Sequence, residues 1–324
     1  MSARDRQASW RLFVAAIGSM TLWLGCPPLT ASCELSPSPQ TALPERGISA
    51  HRGGKLGCPV NTLGAFQRAI RQGVHQIELD VRATADDVIV VAHDDQVTDK
   101  DHTVRISEST FDQVRKLELV PCQGEKQAQH IPTLEHALAI MPQNIWINVD
   151  MKNNEPRVAQ LVAETVATAH RFNQVIFATR HKAVPPVRQV AKKAASKSWI
   201  ANMNRELFRQ QYVNATINSG AEFIQLVHLP YLPFVRSKPS QDTMERLKIA
   251  GVQVNYSWLR EEDEGELKQE LQDLFDRGVN FVLIDHVEPA MKAAATLGIP
   301  PLVPRWDNSS SPHSEEHPRC PPPS

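Results

Sequence analysis

Between residues 46 and 302, short apolar runs alternate with longer amphipathic stretches. A short run rich in Val, Ile and Phe is typical of a buried strand, and a stretch with apolar residues at helical spacing is typical of a helix. Parallel strands need a crossover between them, which is usually a helix, so regular alternation indicates an α/β protein with a parallel sheet. This pattern constrains the fold more than any other feature of the chain.

Strands and helices can be placed along this stretch from composition and spacing. The predicted strands are Gly47–His51, Gln76–Val81, Val88–His93, Ile145–Val149, Val175–Ala178, Trp199–Met203, Phe223–Val227, Val252–Tyr256 and Phe281–Ile284. The main predicted helices are Thr62–Gln72, Pro132–Ile140, Pro156–Arg171, Pro185–Lys193, Arg205–Gly220, Ser240–Gly251 and Glu264–Gly278. A barrel of eight parallel strands with helices between them needs about 250 residues. We therefore predict an α/β protein with a (β/α)8 TIM-barrel fold in a single domain.

One predicted strand is in excess of the eight that such a barrel requires. In addition, the connection Arg82–Asp87 is too short for the crossover that joins parallel strands. The barrel is therefore predicted to be somewhat irregular near its start. The sequence leaves open which of the predicted strands lies outside the ring.

The N-terminus has the pattern of an export signal. Arg4, Arg6 and Arg11 precede an uncharged apolar stretch from Leu12 to Gly25. A basic segment followed by an apolar one too short to cross a bilayer comfortably indicates a secretory signal peptide, with a membrane anchor as the alternative. Leu24-Gly25-Cys26 resembles a lipoprotein processing site, where Cys26 would carry lipid, whereas cleavage near Ala31-Ser32 would leave no lipid. We predict a secreted or periplasmic protein, anchored to the membrane through Cys26 if the first site is used.

Composition divides the chain into four parts. Residues 1–32 form the predicted signal peptide, which is a lipoprotein signal if Cys26 is processed. Residues 33–45 belong to a Pro-rich stretch and are predicted to be a linker, and residues 46–302 are predicted to form the barrel. Residues 303–324 are rich in Pro and Ser, cannot bury enough apolar surface to order themselves, and are predicted to be a disordered tail.

Charge and cysteine content limit the partners. The formal net charge is −1, and no cluster of Lys and Arg forms a basic stripe, so the sequence does not favour nucleic-acid binding. Neither feature determines the oligomeric state. Among the five cysteines, Cys58 and Cys122 would form a disulfide in an oxidising compartment or remain free thiols, and the sequence leaves both alternatives open.

Chemically reactive residues follow several of the predicted strands. Catalytic groups of TIM barrels lie at the carboxyl ends of the strands. At those positions the sequence has His51 and Arg52, then Glu78 and Asp80, then His93, Asp150 and Lys152. Since side chains two apart on a strand share a face, Glu78 and Asp80 are expected to project together into the barrel.

An acidic pair on a buried face predicts a bound cation. Two like charges repel strongly there unless a positive charge lies between them. Oxygen ligands without a Cys or paired-His donor set favour Ca²⁺ or Mg²⁺ over Zn²⁺. Histidine transfers protons near neutral pH, as phosphodiester cleavage requires at the nucleophile and at the leaving group. Arg52 offers a planar fork for phosphate oxygens, and Lys152 adds a point charge.

These residues occur within short motifs that follow one another along the chain. The motifs are His51-Arg52-Gly53, Pro59-Val60-Asn61-Thr62, Glu78-Leu79-Asp80-Val81, His93-Asp94, Ile131-Pro132-Thr133-Leu134-Glu135 and Asn148-Val149-Asp150-Met151-Lys152. The ordered set resembles the glycerophosphodiester phosphodiesterase family, and Trp258 and Ile284-Asp285 are weaker landmarks of it. From residue 175 onward the resemblance lies in the rhythm of strands and helices.

The resemblance implies metal-dependent hydrolysis of glycerophosphodiesters to glycerol 3-phosphate and an alcohol. It implies that a neighbouring hydroxyl of the substrate attacks phosphorus and that water then opens the cyclic product. The implied general acid and base are His51 and His93. The implied ligands of Ca²⁺ or Mg²⁺ are Glu78, Asp80 and Asp150. The implied substrate-binding residues are Arg52, Lys152 and Trp258, although Trp258 could equally fill the top of the barrel.

Two positions depart from the pattern of the family. Val60 and Asp150 stand where the family usually has Glu. These departures keep two alternatives open beside hydrolysis of a small glycerophosphodiester. One is the same chemistry on a lipid-derived phosphodiester, as in lysophospholipase D. The other is a non-catalytic binding protein on the same fold, against which the retention of both histidines argues.

Overall fold

A computed structural model describes residues 42–203, 209–227, 238–259 and 264–306. The strands within these residues are β1 (Gly47–Ala50), β2 (Gln76–Ala83), β3 (Ile89–Val91), β4 (Gln96–Thr98), β5 (Thr103–Arg105), β6 (Trp146–Met151), β7 (Val175–Thr179), β8 (Trp199–Asn202), β9 (Phe223–Val227), β10 (Gln253–Ser257) and β11 (Phe281–Ile284). The helices are α1 (Leu63–Arg71), α2 (Phe111–Val114), α3 (Leu134–Ile140), α4 (Pro156–Thr168), α5 (Val184–Lys193), α6 (Arg209–Ser219), α7 (Gln241–Ile249), α8 (Glu264–Asp276) and α9 (Val287–Thr296). The predicted signal peptide, including Cys26, lies outside the described residues.

Eight of the strands form a closed parallel barrel. Their order around the ring is β1, β11, β10, β9, β8, β7, β6 and β2. The ring closes where β1 pairs with β2, with Ser49 opposite Gln76 and Ala50 opposite Ile77. Helices connect most of the successive strands, so the predicted TIM barrel is confirmed.

The irregularity that the sequence predicted is strand β3. It runs antiparallel to β2, with Val81 opposite Val91 and Ala83 opposite Ile89, and it lies outside the closed ring. The chain between the two strands is too short for a crossover, and it turns back through Asp87, which has a φ of 65°. The expectation that His93 ends a barrel strand equivalent to the one before His51 was therefore wrong.

Residues 84–133 between β2 and α3 form an excursion with a small core of its own. This core contains Val90, Ile106, Val114, Leu117 and Ile131. Among the strands of the described residues, β4 and β5 pair with each other alone, outside the barrel sheet. The excursion therefore brings the residues that follow β3 into the barrel's neighbourhood without adding a strand to the ring.

Side chains along β2 point alternately outward, into the hydrophobic core between the strands and the helices, and inward, into the interior of the ring. Ile77, Leu79 and Val81 belong to the main hydrophobic core, together with residues of the surrounding helices. Gln76, Glu78 and Asp80 therefore point the other way, into the barrel. Deeper in the interior, a separate apolar cluster contains Trp146, Ile176, Phe223 and Phe281. Acidic groups on β2 thus lie above an apolar plug, toward the carboxyl ends of the strands.

The chain segments just before β1 and just after α9 make contacts with the barrel. Leu43 packs against the interior apolar cluster, and Trp146 Nε1 donates a hydrogen bond to Pro44 O at 2.9 Å. At the other end, Asn144 Nδ2 donates to Val303 O at 2.8 Å. The division into linker, barrel and tail stays a prediction beyond these contacts. Among the described residues, no helix combines the length and apolar character needed to cross a bilayer.

A disulfide joins the excursion to the barrel. Cys58, in the loop between β1 and α1, is bonded to Cys122 across 64 residues of sequence. Beside it, Gln123 N donates a hydrogen bond to Gly57 O at 2.6 Å. Of the two alternatives that the sequence left open for these cysteines, the structure has the disulfide.

We expect a chain carrying both Cys58→Ser and Cys122→Ser to lose roughly 2–4 kcal/mol of unfolding free energy, because closing a long loop restricts the unfolded chain. Guanidinium unfolding followed by circular dichroism measures this loss. Dithiothreitol should lower the stability of the wild type by a similar amount and leave the double variant unchanged. Equal sensitivity of the two proteins to dithiothreitol would contradict the prediction.

Candidate active site

Three carboxylates converge inside the barrel near the carboxyl ends of β2 and β6. Asp80 lies directly opposite Asp150 in the pairing of these strands, and Glu78 precedes Asp80 on the same face. One oxygen from each of Glu78, Asp80 and Asp150 lies within 4.8 Å of the others. The register of two adjacent strands therefore gathers the three predicted metal ligands.

Two cations lie among these carboxylates. Lys152 Nζ is 2.7 Å from Asp80 Oδ1 and 2.8 Å from Asp150 Oδ2. Arg52 Nε is 3.0 Å from Asp80 Oδ2, and its backbone N–H donates to Glu78 Oε2 at 3.0 Å. With all three acids ionised, the two cations leave one negative charge uncompensated in this group.

The pKa values of Glu78 and Asp80 are shifted in opposite directions. Burial raises the pKa of Glu78 well above its ordinary value, and the charges of Asp80 and Asp150 raise it further. Burial also acts to raise the pKa of Asp80, but the positive charges of Lys152 and Arg52 outweigh it and bring that pKa below its ordinary value. Glu78 is thus the carboxylate that most needs a further positive charge to remain ionised.

The residues present fit a divalent cation. Their donors are carboxylate oxygens, which suit hard ions such as Mg²⁺ and Ca²⁺. Asn148, opposite Glu78 in the strand pairing, adds a buried Oδ1 that accepts no hydrogen bond from the described residues. A cation beside Glu78 would supply the charge that this carboxylate lacks.

The turn that follows β1 holds the acids from one side. Arg52 and Asn61 both adopt left-handed backbone conformations, with φ of 53° and 60°, and Asn61 N donates to Arg52 O at 2.9 Å. Asn61 Nδ2 donates to Asp80 Oδ2 at 2.8 Å, and Asp80 N donates to Asn61 Oδ1 at 3.2 Å. Backbone strain of this kind concentrates at functional sites. Sequence reasoning included Asn61 in a motif but did not assign it this contact.

Glycine is required at the start of the same turn. Gly53 has a φ of +83°, and a Cβ atom placed there would lie 2.9 Å from the Cβ of Ala65 on α1. The turn can therefore pass close to α1 only with glycine at this position.

His51 is held by a residue from the other end of the chain. Its Nδ1 lies 2.6 Å from Oδ1 of Asp285, which follows β11, and Lys55 Nζ lies 2.6 Å from Oδ2 of the same carboxylate. Burial acts to raise the pKa of Asp285, but the hydrogen bonds from His51 and Lys55 outweigh it, so that pKa lies below its ordinary value. Sequence reasoning noted Asp285 only as a landmark. Its position directly after a predicted strand was the signal that could have marked it.

His93 lies in the excursion, two residues after the end of β3. Ala92 N, just before it, donates to Asp80 O at 3.0 Å, which places this part of the chain alongside the acidic strand β2. The His93 ring is partly exposed, and its Nδ1 lies 2.9 Å from Oδ1 of the exposed Asp94. The two predicted catalytic histidines therefore come from different parts of the fold.

Trp258, the remaining predicted site residue, directly follows β10. Its side chain is 3% exposed, and its ring stacks on Tyr256 with centroids 6.4 Å apart. Trp258 thus belongs to the main hydrophobic core, and its part in substrate binding stays a prediction.

The three carboxylates, together with Arg52 and Lys152, form the rim of the candidate site. The fold and this rim define a TIM-barrel protein with oxygen ligands suited to a divalent cation. Comparison with known proteins identifies its kind: residues 51–288 match the glycerophosphoryl diester phosphodiesterase family, and the chain belongs to that family. The resemblance stated from the motifs is confirmed.

Related proteins match part of the chain in sequence. A putative glycerophosphodiester phosphodiesterase of Bacillus subtilis, YhdW, is 30% identical over 154 residues, which are 44% of this chain and 61% of the relative. Human glycerophosphodiester phosphodiesterase 1 is 34% identical over 128 residues, 37% of this chain and 39% of the relative. The chain thus spans less than two thirds of the length of these relatives.

Solved structures share the fold over more of the chain. A putative glycerophosphoryl diester phosphodiesterase from Silicibacter pomeroyi superposes with a TM-score of 0.63 at 16% identity, covering 83% of this chain and 97% of that one. A phosphodiesterase from Oleispira antarctica, in complex with sn-glycerol-3-phosphate, gives a TM-score of 0.58 at 17% identity, covering 78% and 96%. At these identities the likeness supports the fold alone.

We expect Lys152→Met to lower the unfolding free energy in EDTA by about 3–5 kcal/mol, because it leaves buried carboxylates without their cation. Added Mg²⁺ or Ca²⁺ should recover part of the loss by replacing the missing positive charge. Thermal unfolding with and without the metals measures both effects. As the control, Lys268→Met on the exposed face of α8 should change stability by about 0.5 kcal/mol or less. Wild-type stability of Lys152→Met in EDTA would refute this account of the rim.

Proposed function

We propose that the protein hydrolyses glycerophosphodiesters to glycerol 3-phosphate and an alcohol, in a reaction that depends on Ca²⁺ or Mg²⁺. The observation that carries this proposal is the group of Glu78, Asp80 and Asp150 beside a histidine oriented by a carboxylate. Membership of the family supports the reaction class. The Oleispira antarctica phosphodiesterase, which shares the fold, binds sn-glycerol-3-phosphate as its product, and the proposed product is the same compound.

Glu78, Asp80 and Asp150 would hold the metal. When bound, a divalent cation supplies positive charge that stabilises the negative charge developing as a phosphodiester is cleaved. Arg52 contacts Asp80 through Nε, so its two terminal nitrogens are the ones suited to phosphate oxygens. Lys152 adds a second positive charge next to the same carboxylate.

His51 and His93 would exchange the protons of the reaction. Because Nδ1 of His51 is engaged by Asp285, its Nε2 is the nitrogen left to exchange a proton with the substrate. One histidine accepts the proton of the substrate hydroxyl that attacks phosphorus, and the other donates a proton to the departing alcohol. Water then opens the cyclic phosphodiester, with the two roles reversed. Asp285 fixes the ring of His51 through its contact with Nδ1.

The assay that tests this proposal uses the purified chain and glycerophosphocholine, with EDTA, Ca²⁺ or Mg²⁺. We expect glycerol 3-phosphate to be released only with a metal. His51→Ala should lower kcat by on the order of 100-fold or more, as loss of a general acid or base does. Asp285→Asn should lower kcat with little change in KM, because it disturbs the orientation of His51 rather than substrate binding.

The exposed His136 provides the matched control, since His136→Ala removes an imidazole from helix α3 rather than from a strand end of the barrel and should leave kcat unchanged. If glycerophosphocholine is inert and lysophosphatidylcholine is cleaved, the substrate is lipid-derived and the small-diester proposal is wrong. If both are inert with every metal, a binding protein becomes the better account.

We also propose that the protein is exported, with Cys26 as a lipid attachment point if the signal is processed there. The basic and apolar N-terminal segments support export, and the disulfide between Cys58 and Cys122 fits an oxidising compartment. Cell fractionation and intact mass measurement test this. Export predicts loss of the N-terminal segment, and lipidation predicts added acyl mass that Cys26→Ser abolishes. Recovery of the full-length chain in the cytoplasm would refute the proposal.

A further inference from the structure

His93 is the one predicted catalytic residue whose position the barrel does not fix directly. It follows β3, which lies outside the ring, and the segment after it belongs to the excursion of residues 84–133. Its ring contacts Asp94, but the two side chains are 37% and 77% exposed, respectively. Ion pairs between such exposed groups contribute little to stability. The hydrogen bond from Ala92 N to Asp80 O fixes the residue before His93, so a contact made by His93 itself is still needed if it is to transfer protons accurately.

Arg82 makes a contact of this kind. Its Nε donates a hydrogen bond to the backbone carbonyl of His93 at 2.9 Å. Arg82 lies on β2 two residues after Asp80, on the same face as Glu78 and Asp80, and its side chain is 22% exposed. The barrel fixes this stretch of β2, because Val81 pairs with Met151 and Lys152 N donates to Val81 O at 3.1 Å. Arg82 thus ties His93 to the strand that carries the metal ligands.

The guanidinium of Arg82 is itself steadied from the excursion. Its Nη1 lies 3.9 Å from Oδ1 of Asp95. Asp95 also accepts hydrogen bonds from Ser107 N at 3.0 Å and Ser107 Oγ at 2.8 Å, and from Arg105 Nη1 at 3.2 Å. Asp95 is therefore a fixed point of the excursion, and its negative charge lies near the guanidinium that donates to the carbonyl of His93.

We propose that Arg82 is a positioning residue for His93, holding the backbone of this histidine at a set distance from the metal ligands on β2. This proposal rests on the proposed function, because it assumes that His93 transfers a proton. Arg82 needs no contact with the substrate for this role. Its planar side chain, held between a backbone carbonyl and Asp95, has less freedom than a lysine would have.

The test is a double-mutant cycle in kcat with glycerophosphocholine and Mg²⁺. We expect His93→Ala to slow the reaction by on the order of 100-fold or more. Arg82→Gln should slow it by up to about 100-fold, since small misplacement of a catalytic group has effects of that size. The double variant should be no slower than His93→Ala by more than about 2-fold, because Arg82 acts only through His93. KM and Mg²⁺ affinity, the latter from titration calorimetry, should stay at wild-type values in Arg82→Gln.

Arg105→Gln is the matched control. It removes a guanidinium that contacts Asp95 and Glu108 rather than the backbone of His93, so kcat should change by about 2-fold or less. Three results would each overturn the positioning role. The effects of Arg82→Gln and His93→Ala on kcat could multiply in the double variant, Arg105→Gln could lower kcat as much as Arg82→Gln does, or Arg82→Gln could lower the affinity for Mg²⁺. Wild-type activity of His93→Ala would instead overturn the proton-transfer role of His93 in the proposed function, and the positioning role with it.

Discussion

Burial of three carboxylates on two neighbouring strands is the constraint on which the rest of the site depends. Such a group is stable only with positive charge among the acids. Lys152, just after β6, and Arg52, in the turn after β1, supply part of this positive charge. The remaining imbalance concentrates on Glu78, whose burial and acidic neighbours raise its pKa. These residues fit a divalent cation, because it would supply the positive charge that Glu78 lacks.

Closure of the barrel brings the two chemical parts of this rim together. The acids lie on β2 and β6, whereas His51 and its partner Asp285 follow β1 and β11. Strand β1 pairs with β2 on one side and with β11 on the other. The first and last strands therefore bring the acids beside His51 and its partner Asp285. The turn from His51 to Asn61 completes this link through its contacts with Glu78 and Asp80.

The excursion of residues 84–133 adds a second layer to the barrel. It has its own small core, it carries His93, and a disulfide fixes it to the loop that follows β1. A short antiparallel strand places the residues that follow it beside a barrel strand without a crossover helix. The consequence is that the position of His93 depends on side-chain contacts as well as on the sheet.

Much of this protein could be predicted from local patterns. The alternation of segments indicated the barrel, the spacing of Glu78 and Asp80 indicated a shared inward face, and the ordered motifs indicated the family. These features are local because strand and helix periods repeat within a few residues. Only the tertiary structure decided that β3 lies outside the ring, that Asn61 holds Asp80, and that Asp285 partners His51 across 234 positions. Those contacts depend on how the ring closes and in which register its strands pair, and no local pattern encodes either.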